Sequence, residues 1–167
     1  MGLKEALLKK GWAGHTISRE ETVERLNPLI RKLTELLFDY RYVVDHLSDQ
    51  TIAAELDAAL KTLRADIGKL SETVLSNGGI AYTGADLDPA AFNLGSDDDE
   101  MLFNLLDAEE AFQDMIEAEK EVEHQMRTRA ILGVVAQNGR DRLVLLRTHT
   151  SRRRRPVKAQ IGTADAS

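Results

Sequence analysis

Asn77-Gly78-Gly79-Ile80-Ala81-Tyr82-Thr83-Gly84-Ala85-Asp86-Leu87-Asp88-Pro89-Ala90-Ala91-Phe92-Asn93-Leu94-Gly95-Ser96 is the stretch on which the fold turns. It has no helical period, and it holds four of the eleven glycines and one of the three prolines of the 167-residue chain. Asn-Gly-Gly is strong punctuation, suited to a left-handed helix end. The sequence on either side has a helical period. A connection of about 20 residues spans at most about 66 Å when extended, whereas an up-down bundle needs only about 2–8 residues at such a place. Ile80, Tyr82, Leu87, Phe92 and Leu94 give the segment an apolar side. It is therefore expected to pack along the bundle as a crossover joining two antiparallel hairpins.

Upstream, Asn27-Pro28 suggests a helix start, with Asn as N-cap and Pro at the first helical position. Leu29, Leu33, Leu36, Tyr40, Val43 and Leu47 follow at alternating spacings of four and three, the seam of a packed helix. Ser18 with Glu21 forms a capping box and predicts a short preceding helical turn. Ser48 or Asp49 caps the second helix, whose stripe is Ile52, Leu56, Leu60, Leu63, Ile67, Leu70 and Val74. That helix runs to about Ser76 and is roughly 39 Å long.

Downstream, Ser96 or Asp97 opens a third helix with the stripe Leu102, Leu105, Glu109, Phe112 and Ile116. A fourth carries Ile131, Val134, Asn138, Asp141 and Leu145 and ends near Thr148. Neither Gly nor Pro occurs between Ser96 and Gly133. One helix from Asp97 to Thr148 would be roughly 78 Å long, so a break is expected within Glu123–Arg129, with Thr128 as its cap. The fold class is all-α: a four-helix bundle with a long crossover between helices 2 and 3. The expected organisation is a lead with short helices (1–26), the bundle (27–150) and a basic flexible tail (151–167). In the lead, Leu3, Ala6, Leu7 and Trp12 suggest a short docking helix.

Composition narrows the function classes. Hydrophobic residues make up 43% and charged residues 30%, an ordinary globular balance. The absence of cysteine excludes disulfides, thiolate metal sites and cysteine catalysis. No apolar run approaches the roughly 20 residues of a membrane span, and the N-terminus lacks the apolar core of a secretory signal. A cytoplasmic protein is expected. The net charge of −6 hides two opposed segments. Asp97–Glu123 holds twelve acids against Lys120 alone, while the last seventeen residues hold Arg152, Arg153, Arg154, Arg155 and Lys158 against Asp165. The acidic body should repel nucleic acid. The arginines could contact nucleic acid as an arm, solubilise the chain or dock on it. No Ser-His-Asp set has recognisable context, and no phosphate loop follows Gly78-Gly79. His46 and His149 fall near helix C-termini, where a cation suits the dipole.

The pattern resembles the bacterial ferritin-like, rubrerythrin-related four-helix proteins of unknown function. The resemblance rests on Leu29–Asp49, on Leu63–Leu75 leading into Asn77-Gly78-Gly79-Ile80, on Ala108-Glu109-Glu110 and on Arg140-Asp141-Arg142-Leu143, and covers about residues 27 to 150. It implies the crossover connectivity, dimers or larger homo-oligomers, and an ancestral di-metal site. Such a site takes a Glu from each of two helices and a Glu-x-x-His pair from each of the other two. This chain lacks the histidines on its inward stripes. Its one literal Glu-x-x-His, Glu121 to His124, falls near the expected helix break.

Glu109 nevertheless occupies an inward position where an apolar residue is expected, and a buried carboxylate needs a partner. In one reading the metal site is lost and Arg140 or Arg142 neutralises Glu109 in a buried polar network of Glu109, Asn138, Arg140 and Arg142, with no cofactor. In the other, an oxygen-only cluster of Asp39, Asp66, Glu109 and Asp141 binds Fe or Mn. The first is preferred. It implies a non-catalytic bundle, structural or stress-associated, that oligomerises. The alternatives are a metal-binding protein or oxidoreductase, and a nucleic-acid-associated bundle using Arg152–Arg155.

Overall fold

The computed structural model describes residues 15–157. Among the described residues four α-helices make up the bundle: α1 (Arg19–His46), α2 (Gln50–Ser76), α3 (Asp98–Lys120) and α4 (Met126–Thr150). One turn of 3₁₀ helix, Pro89–Ala91, interrupts the connection between α2 and α3, and no strand occurs among the described residues. The segment from Leu3 to Trp12 and the last ten residues lie outside the described range. No helix among the described residues is long and apolar enough to cross a membrane.

α1 starts nine residues before the position expected from Asn27-Pro28. Ser18 is the N-cap, its hydroxyl accepting from Glu21 N–H at 3.1 Å. Thr22 and Leu26 are buried and extend the stripe back through Pro28. Pro28 removes one helical N–H, whose acceptor would have been the Glu24 carbonyl. Both residues lie on the exposed face, so water can replace the lost bond and the helix continues. Residues 19–26 thus belong to the bundle.

α2 is capped by Asp49, which accepts from Thr51 and Ile52 N–H at 3.0 and 3.2 Å. It ends where the glycines indicate. Gly78 takes φ +82°, Gly79 N–H reaches Val74 O at 3.0 Å and Gly78 N–H reaches Leu75 O at 2.9 Å. This is the Schellman closure, which a side chain at Gly78 would strain. Gly79 is needed for a different reason: a Cβ there would lie 2.5 Å from the Val23 methyls.

The connection then travels along α1 from its N-terminal end to its C-terminal end. Asn27, read from sequence as a cap, instead pins the strand of chain: its amide donates to Ile80 O (3.0 Å) and accepts from Tyr82 N–H (2.9 Å). Arg31 pairs with Asp86 at 3.2 Å, Phe38 stacks on Phe92 with centroids 5.1 Å apart, and Tyr42 donates to Gly95 O at 2.9 Å. At the far end Asp98 accepts from Ser48 N–H, Ser48 Oγ and Asp49 N–H. Leu94 is buried and Tyr82, Leu87 and Phe92 are half-buried, but Ile80, expected to pack, is 85% exposed. Asn27→Ala should cost about 1–2 kcal/mol, since it removes both long-range amide bonds. Chemical denaturation would measure this, and proteolysis should become faster within 80–95.

α3 begins at the expected cap, Asp97, which accepts from Glu100 N–H at 2.9 Å. The break before α4 occupies residues 121–125, earlier than the expected Thr128 cap. Gln125 stands at the N-cap without a side-chain hydrogen bond, and Thr128 is buried within the first turn of α4. Tertiary contacts make this break in the absence of Gly or Pro. Ile17 N–H takes the Glu123 carbonyl at 2.9 Å, and the buried His124 ring bonds Glu119 Oε1 at 2.7 Å.

The closest packing is within the pairs α1·α2 and α3·α4, which then meet through α1·α3 and α2·α4. The inward stripes of α1, α2 and α3 fall as expected, except that Ile67 is only partly buried. That of α4 does not. Leu132, Val135, Ala136, Gly139, Arg142, Leu143 and Leu146 are buried, while Val134 is 44% exposed and Asp141 faces solvent. The inward face is therefore turned by one residue, about 100°, from the expected one.

Candidate functional site

Each helix contributes to one buried polar cluster at the centre of the bundle. α3 supplies Glu109, fully buried on its apolar stripe. α4 supplies Arg142, 3% exposed, because the turned stripe directs it inward. Arg142 Nε donates to Glu109 Oε1 and Oε2 at 2.9 and 3.0 Å. Its Nη2 lies 2.8 Å from Oε1 but is not aligned for a hydrogen bond there. α1 supplies Tyr40, whose hydroxyl donates to Glu109 Oε2 at 2.8 Å. α2 supplies Asp66, fully buried, with Oδ2 3.4 Å from Arg142 Nη1 and Oδ1 accepting from Asn138 Nδ2 at 2.8 Å.

The electrostatics follow from two carboxyl groups around one guanidinium. Burial raises the Asp66 carboxyl above the usual range, opposed by Asn138 and Arg142. Burial acts to lower the Arg142 pKa, but the Glu109 carboxylate outweighs it and the pKa rises. Burial and the Glu109 charge push Tyr40 well above its ordinary value, so it remains a hydrogen-bond donor. Arg142 is a fixed cation and Tyr40 a fixed donor. The arrangement holds both Glu109 oxygens in fixed hydrogen bonds.

Gly139 permits the close approach of α3. A Cβ there would collide with Gln113 Oε1 and lie 3.7 Å from Arg142 Nη2. Gln113 Nε2 donates to Glu117 Oε1 at 2.8 Å and to Ala136 O at 3.4 Å. A recess of about 220 Å³ between α2 and α4, lined in part by Ala58, Ala59, Leu145, Asn138 and Arg142, reaches the edge of the cluster.

The residues expected from sequence divide accordingly. Asp66, Glu109, Asn138 and Arg142 come together. Arg140 does not join them: it is half-buried and pairs with Glu117 and Gln137. Asp141 faces solvent and accepts from Gln137 Nε2 at 2.9 Å. Asp39 is half-buried, and burial pushes its carboxyl up to about 6, with Lys32 opposing and Glu35 reinforcing the shift. The carboxylate set Asp39, Asp66, Glu109 and Asp141 therefore does not assemble. Among the described residues no group of three or more His, Asp or Glu side chains is placed to hold a metal ion. His124 pairs with Glu119 rather than Glu121, and His149 lies 2.7 Å from Glu55 Oε2.

Of the tail arginines, Arg153 pairs with Asp99 at 2.6 Å. Arg155 pairs with Asp107 at 2.7 Å and lies 4.8 Å above the Phe103 ring. Arg152 and Arg154 are exposed. Sequence reasoning missed Tyr40 as a site residue. It read as one more apolar residue on the stripe, and the only available signal was a hydroxyl-bearing aromatic on a helix expected to pack near Glu109. Compared with known proteins, the chain matches no family model and no curated sequence.

Proposed function

We propose that this chain is a ferritin-like bundle whose di-metal centre has been replaced by an arginine clamp, and that it serves as a non-catalytic, oligomerising structural module, as in a stress-associated assembly. The observation that carries the proposal is the Arg142 guanidinium lying between Glu109 and Asp66 with Tyr40 on the other Glu109 oxygen. A metal would bring these carboxylates together by neutralising them. The guanidinium supplies positive charge at the same place and cannot exchange ligands or electrons. The course of the 77–97 segment along α1 supports kinship with the crossover bundles. Val134 and Val144, both exposed on the outer side of α4, are apolar positions open to contact with a second copy. The nucleic-acid reading has weaker support, because Arg153 and Arg155 are engaged by acids of α3.

Elemental analysis of protein purified without a histidine tag tests the proposal. Iron and manganese are expected far below stoichiometry, and loading with either should leave Tm unchanged. Near-stoichiometric metal retained through gel filtration would overturn the structural reading in favour of a metalloprotein.

A further inference from the structure

Seven large apolar side chains stand exposed among the described residues, and three of them, Leu75, Ile80 and Met126, lie at one end of the bundle, where α2 stops, the connection begins and α4 starts. Leu75 is 61% exposed and Met126 is 87% exposed. The same end holds a cavity of about 500 Å³ between α2 and α4. Leu75 and Ile131 line it, as do Gln125 and Arg127, the chain neighbours of Met126. Apolar side chains scattered singly on a surface are ordinary, but a group of them around a cavity marks a place that something covers.

The chain itself brings a cover to this place. Ile17 N–H takes Glu123 O at 2.9 Å, so the start of α1 is pinned to the break between α3 and α4. Both sides of that contact lead to the cavity. Arg19, two residues after Ile17, and Gln125, two residues after Glu123, stand on its wall. Fourteen residues precede the described range. They carry Leu3, Ala6 and Leu7 at helical spacing, and Trp12, the one tryptophan of the chain. Trp12 comes five residues before Ile17, a reach of at most about 18 Å. The same segment carries Lys4, Lys9 and Lys10 against Glu5. Glu20, Glu21 and Glu121, all exposed, lie within four residues of the pinned contact. The charges of segment and surroundings are therefore complementary.

We infer that residues 3–12 of the same chain cover this end of the bundle, with Trp12 and the Leu3, Ala6, Leu7 set against Leu75, Met126 and Ile131. The tether decides between a chain's own segment and that of a second copy. A short linker holds its cargo at an effective concentration in the millimolar range. At micromolar protein each bundle is therefore covered by its own segment. Tryptophan suits the wall, because it brings a large apolar area and an N–H that needs a polar partner. Thr73, Ser76 and Asn77 offer such partners beside Leu75. The cover ties the ends of α2 and α4 to the start of α1 and is independent of the role proposed for the Glu109–Arg142 clamp.

Fluorescence of the full chain tests this, because Trp12 is its only tryptophan. The folded chain should emit to the blue of the urea-unfolded chain and resist acrylamide quenching several-fold better. Leu75→Ser with Met126→Ser, both at exposed positions, should abolish the blue shift while circular dichroism stays unchanged. Val144→Ser, exposed and roughly 27 Å along α4 from Met126, should leave it intact. The chain has no cysteine, so a nitroxide can be placed at one site through Leu75→Cys or Val144→Cys. The first should quench Trp12 strongly and the second should not. Emission like that of the unfolded chain, a blue shift that survives Leu75→Ser with Met126→Ser, or equal quenching from the two labelled sites would each overturn the inference. So would a blue shift that grows with protein concentration, which would put the segment on a second copy.

Discussion

Arg142→Met is expected to destabilise the bundle by about 3–5 kcal/mol, because it leaves Glu109 charged and buried without its cation. For a domain of this size that lowers Tm by about 10 °C. The loss should far exceed that of Arg140→Met, whose partners Glu117 and Gln137 are at the surface. Pairing Arg142→Met with Glu109→Leu should recover most of the stability, since buried ion pairs replaced by apolar residues of similar volume are often neutral. Tyr40 would then lack its acceptor, and Tyr40→Phe in that background should recover about 1 kcal/mol more. Denaturant midpoints across this series give the coupling directly. If Arg142→Met alone stayed within about 1 kcal/mol of the parent, Glu109 would be held some other way, and the proposal of an arginine clamp would fail.

The same residue shows where the sequence was legible and where it was not. The course of the connection could be read because two local signals agreed: Gly78 and Gly79 can close a helix in the left-handed region, and about 20 aperiodic residues are too many for a short turn. The inward face of Glu109 could be read because Leu102, Leu105, Phe112 and Ile116 fix the phase of α3. α4 defeated the same method. Its buried face contains Arg142 and Gly139, and its exposed face contains Val134 and Val144. A hydrophobic count therefore rotates the helix towards the valines and places Asp141 inside. Arg142 enters the core because Glu109 is there to receive it, and Gly139 because Gln113 needs the room. Both reasons lie on α3, so no window confined to α4 contains them. The start of α1 was misplaced for a similar reason. Asn27-Pro28 is a good helix start locally, but the partner of Asn27 is the connection more than fifty residues away. The break at 121–125 has no local signal, since it is held by the Ile17 contact to Glu123 and the burial of His124.

Asp39, though not part of the cluster, should dominate the pH dependence of stability. Its folded-state pKa of about 6 lies above the 3.8 of a free carboxyl, and burial is the cause. The folded state thus binds the Asp39 proton more tightly than the unfolded state. Its contribution is fully favourable below pH 4 and is lost as pH rises through 6. Asp66 shifts in the same direction. The depressed carboxyls of Asp86, Asp98 and Glu117 act in the opposite sense, but they sit at or near the surface, where solvent screens their partners. A shift from 3.8 to about 6 corresponds to about 3 kcal/mol by linkage; partial exposure of Asp39 reduces this to about 1–2 kcal/mol. Asp39→Asn should therefore stabilise the protein by that amount at pH 7.5, have little effect at pH 4, and flatten the stability profile between the two. Urea denaturation of parent and variant across pH 4–8 measures this. An equal effect of Asp39→Asn at both ends of the range would show that the carboxyl is solvated in the folded protein and that its partial burial carries no electrostatic cost.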